Sequence, residues 1–221
     1  MLRYNMTALK FIHITKTGGT SIENVAKAHN VNWGRHDNDL AFLGATYWHV
    51  PFQFCDNNQK KAQICANFDL FAVVRNPYER CVSEYFCRWG GPSNNLRTAE
   101  QMNKYIRSTL NKRVKKGWSA CSNKHFAPQF LYVFDGKGNR HVKHVLKFEN
   151  LQQEFDQLME QYKLPIRLTR HDNVSKKNLS VADLEPETIA LIQKVYRRDF
   201  KAFGYPLDGG TPPEKNDKKI G

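Results

Sequence analysis

Twice in this chain a short apolar run feeds directly into a helix start, and that repeated pattern constrains the fold more than any other feature. Phe11–Ile14 runs into Lys16-Thr17-Gly18-Gly19, after which Thr20 or Ser21 can cap a helix carrying Ile22, Val25 and Ala26 on one stripe. Phe68–Val74 runs into Arg75-Asn76-Pro77, where Asn76 suits a helix cap and Pro77 the first helical turn, with the helix expected to reach Trp89. Strands that alternate with helices predict a largely parallel sheet with crossovers covering both faces.

Further elements follow the same logic. Helices are expected over Gln101–Val114, around Leu151, Phe155, Leu158 and Met159, and over Glu187–Phe203, where Gly204 supplies the stop. Phe130–Phe134 and His144–Phe148 read as strands around the turn-like Asp135–Asn139, and Tyr47–Phe54 as a strand interrupted at Pro51. The whole is expected to be one three-layer α/β domain over residues 1–208, followed by a loose, flexible C-terminal tail over 209–221 that carries Gly, Pro and charge without an apolar pattern.

Each strand-to-helix junction is suited to an anion. Glycines let backbone N–H groups approach closely, and the next helix begins with unsatisfied donors at the positive end of its dipole. Lys16 adds a mobile cation to the first junction; Arg75, with Ser83 two turns into the helix, adds a guanidinium and a hydroxyl to the second. A Gly-Gly turn can also be only a turn, and Arg75 could pair with Glu79 or Glu84. The spacing fits neither G-x-x-x-x-G-K-[ST] nor G-x-G-x-x-G, which disfavours ordinary NTP and dinucleotide loops.

Thirty-four Lys+Arg against 21 Asp+Glu leave the chain at +13, which favours anionic partners without choosing among them. Cys55, Cys65, Cys81, Cys87 and Cys121 form no CxxC pair, so no structural metal is expected, while a Cys55–Cys65 or Cys87–Cys121 disulfide stays open. Sequons begin at Asn5, Asn173 and Asn178. No apolar run is long enough to span a bilayer, so a soluble, cytoplasmic protein is expected, or one of the Golgi lumen if an N-terminal anchor has been removed. Nothing in the pattern speaks to oligomeric state.

Taken together, KTGGTS (16–21) and VVRNPYERCVSEY (73–85) resemble the two anion elements of the sulfotransferase superfamily, in the branch of heparan and chondroitin sulfate O-sulfotransferases and their microbial and viral relatives. H125-F-A-P-Q129, V145–L151 with Phe155, and Y196–Y205 resemble later family segments, so the likeness spans about residues 10–206. It implies a P-loop-like fold and transfer of a sulfuryl group from 3'-phosphoadenosine 5'-phosphosulfate (PAPS), leaving 3'-phosphoadenosine 5'-phosphate (PAP), to the hydroxyl of an acceptor, expected to be a saccharide; the excess positive charge suits an acidic one. Residue by residue, it implies that Lys16 contacts the 5'-phosphate and bridging oxygen. Thr17, Gly18, Gly19, Thr20 and Ser21 would cradle that phosphate through backbone and hydroxyl donors, and Arg75 and Ser83 would bind the 3'-phosphate.

An acceptor hydroxyl attacks more readily as its proton leaves, and histidine suits that transfer near neutrality. His49, in W48-H49-V50, resembles the segment where glycan 2-O-sulfotransferases carry a catalytic His, although their fuller His-Gly-His pattern is absent; His13 is a weaker alternative, and Glu23 and Asp37 are chemically able. His125 could contact cofactor or acceptor, or order its loop. Basic residues around Arg107–Lys124 could line an acceptor groove or form a solvated face. No metal is needed. A nucleotide-dependent kinase would use similar cradles but lacks the NTP loop and paired Mg²⁺ carboxylates. A non-enzymatic nucleic-acid-binding protein would use the charge, but leaves both anion motifs unexplained.

Overall fold

A computed structural model describes residues 9–37, 51–54, 64–92, 98–121, 124–168 and 178–207. Three parallel strands, β1 (Leu9–Ile12), β2 (Asp69–Val74) and β3 (His144–Lys147), lie in the order β1-β2-β3, with Phe11 opposite Phe71 and Val73 opposite Leu146. Period-two alternation divides their side chains between two cores. Leu9, Phe11, Phe71, Val73 and Leu146 pack on α1 (Gly19–Ala28) and α5 (Leu151–Gln161). Ile12, Leu70, Ala72 and Val74 face α2 (Pro77–Tyr85), α3 (Ala99–Lys116), α6 (Pro186–Val195) and α7 (Arg197–Phe203). Both faces are therefore covered, as the three-layer reading requires.

Local chemistry sets the element ends. Asn76 accepts from the Tyr78 N–H at 3.0 Å, with Pro77 in the first turn of α2. Thr98 and Gln101 form a reciprocal capping box that starts α3. The helix α2 ends at Tyr85, short of the expected Trp89, and three further expectations about these helices and strands need correction. Neither Thr20 nor Ser21 caps α1: that position belongs to Gly18, at φ 84°. Glu187–Phe203 is not one helix, because the backbone breaks at Tyr196 between α6 and α7.

The third correction concerns Phe130–Phe134. Its β-forming residues make a short helix, α4 (Phe130–Val133), and only Phe134 bridges to Arg140. Tertiary contacts override propensity here. Both carboxylate oxygens of Asp199 accept from the Gln129 and Phe130 N–H groups, at 2.8 and 2.9 Å, and so take up the orphan donors of a helix start. Asp199→Ala is expected to destabilise the fold by about 1–3 kcal/mol per stranded donor, which urea unfolding monitored by circular dichroism would measure.

Of the interrupted strand read over Tyr47–Phe54, residues 47–50 lie outside the described residues and Phe52–Phe54 is a 3-10 turn. The tail over 209–221, Cys55, and the sequons at Asn5 and Asn173 also lie outside them. Cys81, Cys87 and Cys121 are free thiols, so the Cys87–Cys121 pairing is not formed, and the Cys55–Cys65 pairing involves a residue outside the described ones. No helix among the described residues is long and apolar enough to cross a membrane.

Candidate active site

The two junctions meet at the carboxyl ends of neighbouring strands, where open parallel sheets collect ligands. Beyond β1 the chain turns sharply: Lys16 has φ 63° and Gly18 φ 84°. A Cβ on Gly18 would lie 2.9 Å from Leu151 Cδ2, and one on Gly19 would lie 2.4 Å from the His13 ring, so side chains are excluded at both positions. Thr17 is buried and its hydroxyl donates to the Ile14 carbonyl at 2.8 Å. That engagement removes the expected Thr17 hydroxyl from the donor set and leaves its backbone. The Ser21 N–H already donates to the Gly18 carbonyl at 3.1 Å, so the Gly19 and Thr20 N–H groups at the start of α1, which have no carbonyl within their own helix, and half-buried Lys16 supply the donors and charge of the turn.

Arg75 leaves the end of β2 and reaches over this turn. Its Nη1 lies 3.5 Å from the Lys16 carbonyl, its Nη2 donates to Glu79 at 3.1 Å, and its guanidinium stacks 4.2 Å from the Phe148 ring centroid. The alternative Arg75–Glu79 pairing is thus formed, yet it does not exhaust the side chain: Nε is buried without a hydrogen-bond partner. A buried guanidinium N–H left unpaired costs free energy, which an anion there would recover. Burial also pulls the Arg75 pKa down, against the charges of Glu79 and Glu149. Ser83 is buried in α2 rather than on the helix surface.

The later family-like segments hold this geometry. Gln129 clamps the Arg75 backbone, accepting from its N–H and donating to its carbonyl, both at 2.8 Å. Glu149 accepts from the Asn76 N–H at 2.7 Å and from the Tyr205 hydroxyl at 2.9 Å. Tyr196 donates to the Phe126 carbonyl at 2.7 Å. Gln129→Ala should therefore weaken ligand binding through the Arg75 loop while leaving the loop residues themselves unchanged.

Beneath the loops lies a buried polar network that sequence reading missed. Arg80 donates to the Thr15 carbonyl (2.9 Å), the Thr15 hydroxyl (2.9 Å) and the Ala127 carbonyl (2.8 Å), and lies 3.5 Å from Glu84. Glu84 accepts from Thr15 and from the Phe126 N–H, and its Oε2 lies 2.6 Å from His125 Nδ1. The network fixes Thr15, and with it the start of the Lys16 turn. A visible signal existed: Arg80 and Glu84 are spaced i,i+4 on a helix whose other face is apolar.

Burial alone would raise the Glu84 pKa, but His125, Arg80 and Thr15 hold it well below the carboxylate range; burial opposes His125 too, yet Glu84 raises it above the ordinary imidazole value. The signs give a window. Glu84 contributes stability above its ordinary 4.5 and loses it as pH falls through its depressed folded value. His125 contributes fully below its ordinary 6.5 and loses that contribution as pH rises through its elevated value. Thermal unfolding is expected to plateau between these limits and to fall on the alkaline side, a fall that His125→Gln should flatten.

The remaining candidates divide clearly. His49 lies outside the described residues. His13 is buried, with Nδ1 2.7 Å from Glu23, whose other carboxylate oxygen lies 3.0 Å from Arg35. Asp37 pairs with Lys10 at 2.8 Å. Of the basic stretch, Arg107 is engaged by Glu185 and Thr188, and Lys124 donates to the Trp118 and Ser119 carbonyls, leaving Lys112, Lys115 and Lys116 exposed on the last turns of α3.

A family model described as the sulfotransferase family matches residues 7–206. No curated protein and no solved structure matches the chain significantly.

Proposed function

The chain belongs to the sulfotransferase family, and from that premise we propose that it is a PAPS-dependent O-sulfotransferase acting on a saccharide acceptor. The observation that carries this reading is the approach of Arg75 to the Lys16 carbonyl at 3.5 Å, with a buried Nε still lacking a partner. Two cationic junctions on adjacent strands suit a nucleotide with two separated phosphate groups. Bound there, PAPS would supply the sulfuryl group for in-line displacement by an acceptor oxygen.

Lys16 would hold the 5'-phosphate and the bridging oxygen, where negative charge grows as the donor bond breaks. Backbone donors of Thr17, Gly18, Gly19, Thr20 and Ser21, with the hydroxyls of Thr20 and Ser21, would orient that phosphate. Arg75 and Ser83 would hold the 3'-phosphate. His49 would take the acceptor proton. His13, Glu23 and Asp37 are committed to buried pairs, which disfavours them as the base. None of these roles calls on a metal.

An acidic saccharide fits the net charge of +13 and the exposed lysines of α3. Charge reversal at Lys112, Lys115 and Lys116 together is expected to raise KM for an acidic acceptor about tenfold or more, falling with added salt, without changing PAP affinity. The reaction itself is tested by incubating the protein with PAPS carrying labelled sulfur and a panel of saccharides. Label should enter saccharide hydroxyls, and His49→Ala should lower that transfer by about 100-fold or more at neutral pH. No transfer to any saccharide, with transfer to a phenol or lipid instead, would remove the saccharide assignment.

A further inference from the structure

Cys87 stands just past the end of α2, at the edge of the buried network, and no role described so far uses it. Its Sγ, one His125 ring nitrogen and one Glu84 carboxylate oxygen all lie within 4.8 Å of one another. His125 turns Nδ1 to Glu84 at 2.6 Å, and the Cys87 Sγ lies within 4.8 Å of a ring nitrogen. The order carboxylate, imidazole, thiol is the arrangement that activates a sulfur nucleophile: the carboxylate orients the ring, and the ring takes the thiol proton. Glycine keeps the cluster tight, since a Cβ on Gly90 would lie 2.8 Å from His125 Nδ1 and 3.0 Å from Glu84 Oε2.

We propose that Cys87 is a reactive thiolate held by His125 and Glu84, and that its oxidation by a peroxide closes the donor site through the Glu84–Thr15 contact at the start of the Lys16 turn.

A metal cation is a poorer occupant of the same cluster. Glu84 is already engaged by Thr15, Phe126 and His125, and Arg80 lies 3.5 Å away. Burial raises the Cys87 pKa, but the His125 hydrogen bond and the Lys16 charge outweigh it and bring the thiol below its ordinary value. Cys81, six residues earlier and fully enclosed, is pushed up to about 12 by burial and supplies an inert internal control.

The step balances simply. The Cys87 thiolate attacks one peroxide oxygen, an S–O bond forms and the O–O bond breaks. Sulfur loses two electrons, and the departing hydroxide takes a proton from the His125 imidazolium and leaves as water. The sulfenic acid so formed would stand against Glu84, which accepts from Thr15 at the start of the Lys16 turn. The thiolate is argued from the cluster alone, whereas closure of the donor site rests on the PAPS reading.

The test has two arms. In the first, the whole protein is alkylated with iodoacetamide across pH, and each cysteine is followed by mass spectrometry. At pH 7 Cys87 should react at least about tenfold faster than Cys121 or Cys81, and His125→Gln should slow Cys87 about tenfold and move its pH profile upward. Gly90→Ala, which displaces the imidazole without removing it, should do the same and serves if His125→Gln does not fold. Equal rates at Cys87 and Cys121, or an unchanged profile in folded variants, would overturn the thiolate. So would a Cys87-dependent thiolate absorption band on Co²⁺ addition, which would assign the cluster to a cation.

In the second arm, PAP titration follows peroxide treatment. Binding should disappear and return with dithiothreitol, and Cys87→Ser should resist the treatment. Unchanged PAP binding after full Cys87 oxidation would overturn the closure. Failure of the untreated protein to bind PAP would instead refute the donor reading and the closure that rests on it, leaving the alkylation result to decide the thiolate.

Discussion

Lys16→Met is expected to lower kcat by about 100- to 1,000-fold while the far-UV circular dichroism and Tm stay those of the parent. The residue sits at φ 63°, so the left-handed backbone costs roughly as much with methionine as with lysine. The substitution therefore removes charge and keeps shape. Lys16 is half-buried, and the Arg75 contact is made to its carbonyl, which the variant retains. If Lys16 stabilises the leaving group, the loss appears in kcat more than in KM, because that charge develops in the transition state. A variant with parental turnover would end the assignment.

The second large effect is on stability. Glu84→Ala leaves Arg80 and His125 buried without their shared anion, and is expected to cost about 3–5 kcal/mol. For a chain of this size that corresponds to a Tm lower by roughly 6–20 °C. Arg80→Met together with Glu84→Leu should recover part of the loss, since it removes the stranded guanidinium and leaves only His125 without its anion. The double variant should still lose sulfuryl transfer, because Arg80 also holds Thr15 through its carbonyl and hydroxyl. Calorimetric unfolding of the parent, the single variant and the double variant separates the two effects. A single variant as stable as the parent would mean that the network does not bear on the fold.

The difference between what the sequence discloses and what it hides follows from the range of the interactions. Strands β1, β2 and β3 and helices α1, α2, α3 and α5 are legible because periodicity and the Asn76-Pro77 start act over a few residues. Lys16 and Arg75 are legible because a strand end, a turn and a helix start lie together in the chain. Phe130–Phe134 misleads because its conformation is decided by Asp199, some seventy residues away, whose carboxylate caps the turn. Tyr196 breaks the last helical stretch while its hydroxyl is drawn to the Phe126 carbonyl, again a distant contact.

The same distinction divides the site. Gln129, Glu149 and Glu84 act on backbone or side-chain atoms 41 to 73 residues away; nothing local marks Gln129 and Glu149 as supports for the two loops, and Glu84 carries only its i,i+4 spacing from Arg80. Thr17 shows the reverse error. Its place in KTGGTS suggests a hydroxyl donor to an anion, but the hydroxyl is turned inward to Ile14 only three residues back. A motif fixes the backbone path more closely than it fixes each side chain.

The central claim, that the Lys16 and Arg75 junctions form one site for a nucleotide carrying both 5'- and 3'-phosphates, is tested most directly by calorimetric titration of the protein with PAP, using ATP and AMP as controls. The account predicts saturable one-site binding, much tighter for PAP than for either control, with Arg75→Ala removing most of the preference for PAP over AMP. No PAP binding by a folded sample, or equal affinity for PAP and AMP, would contradict it.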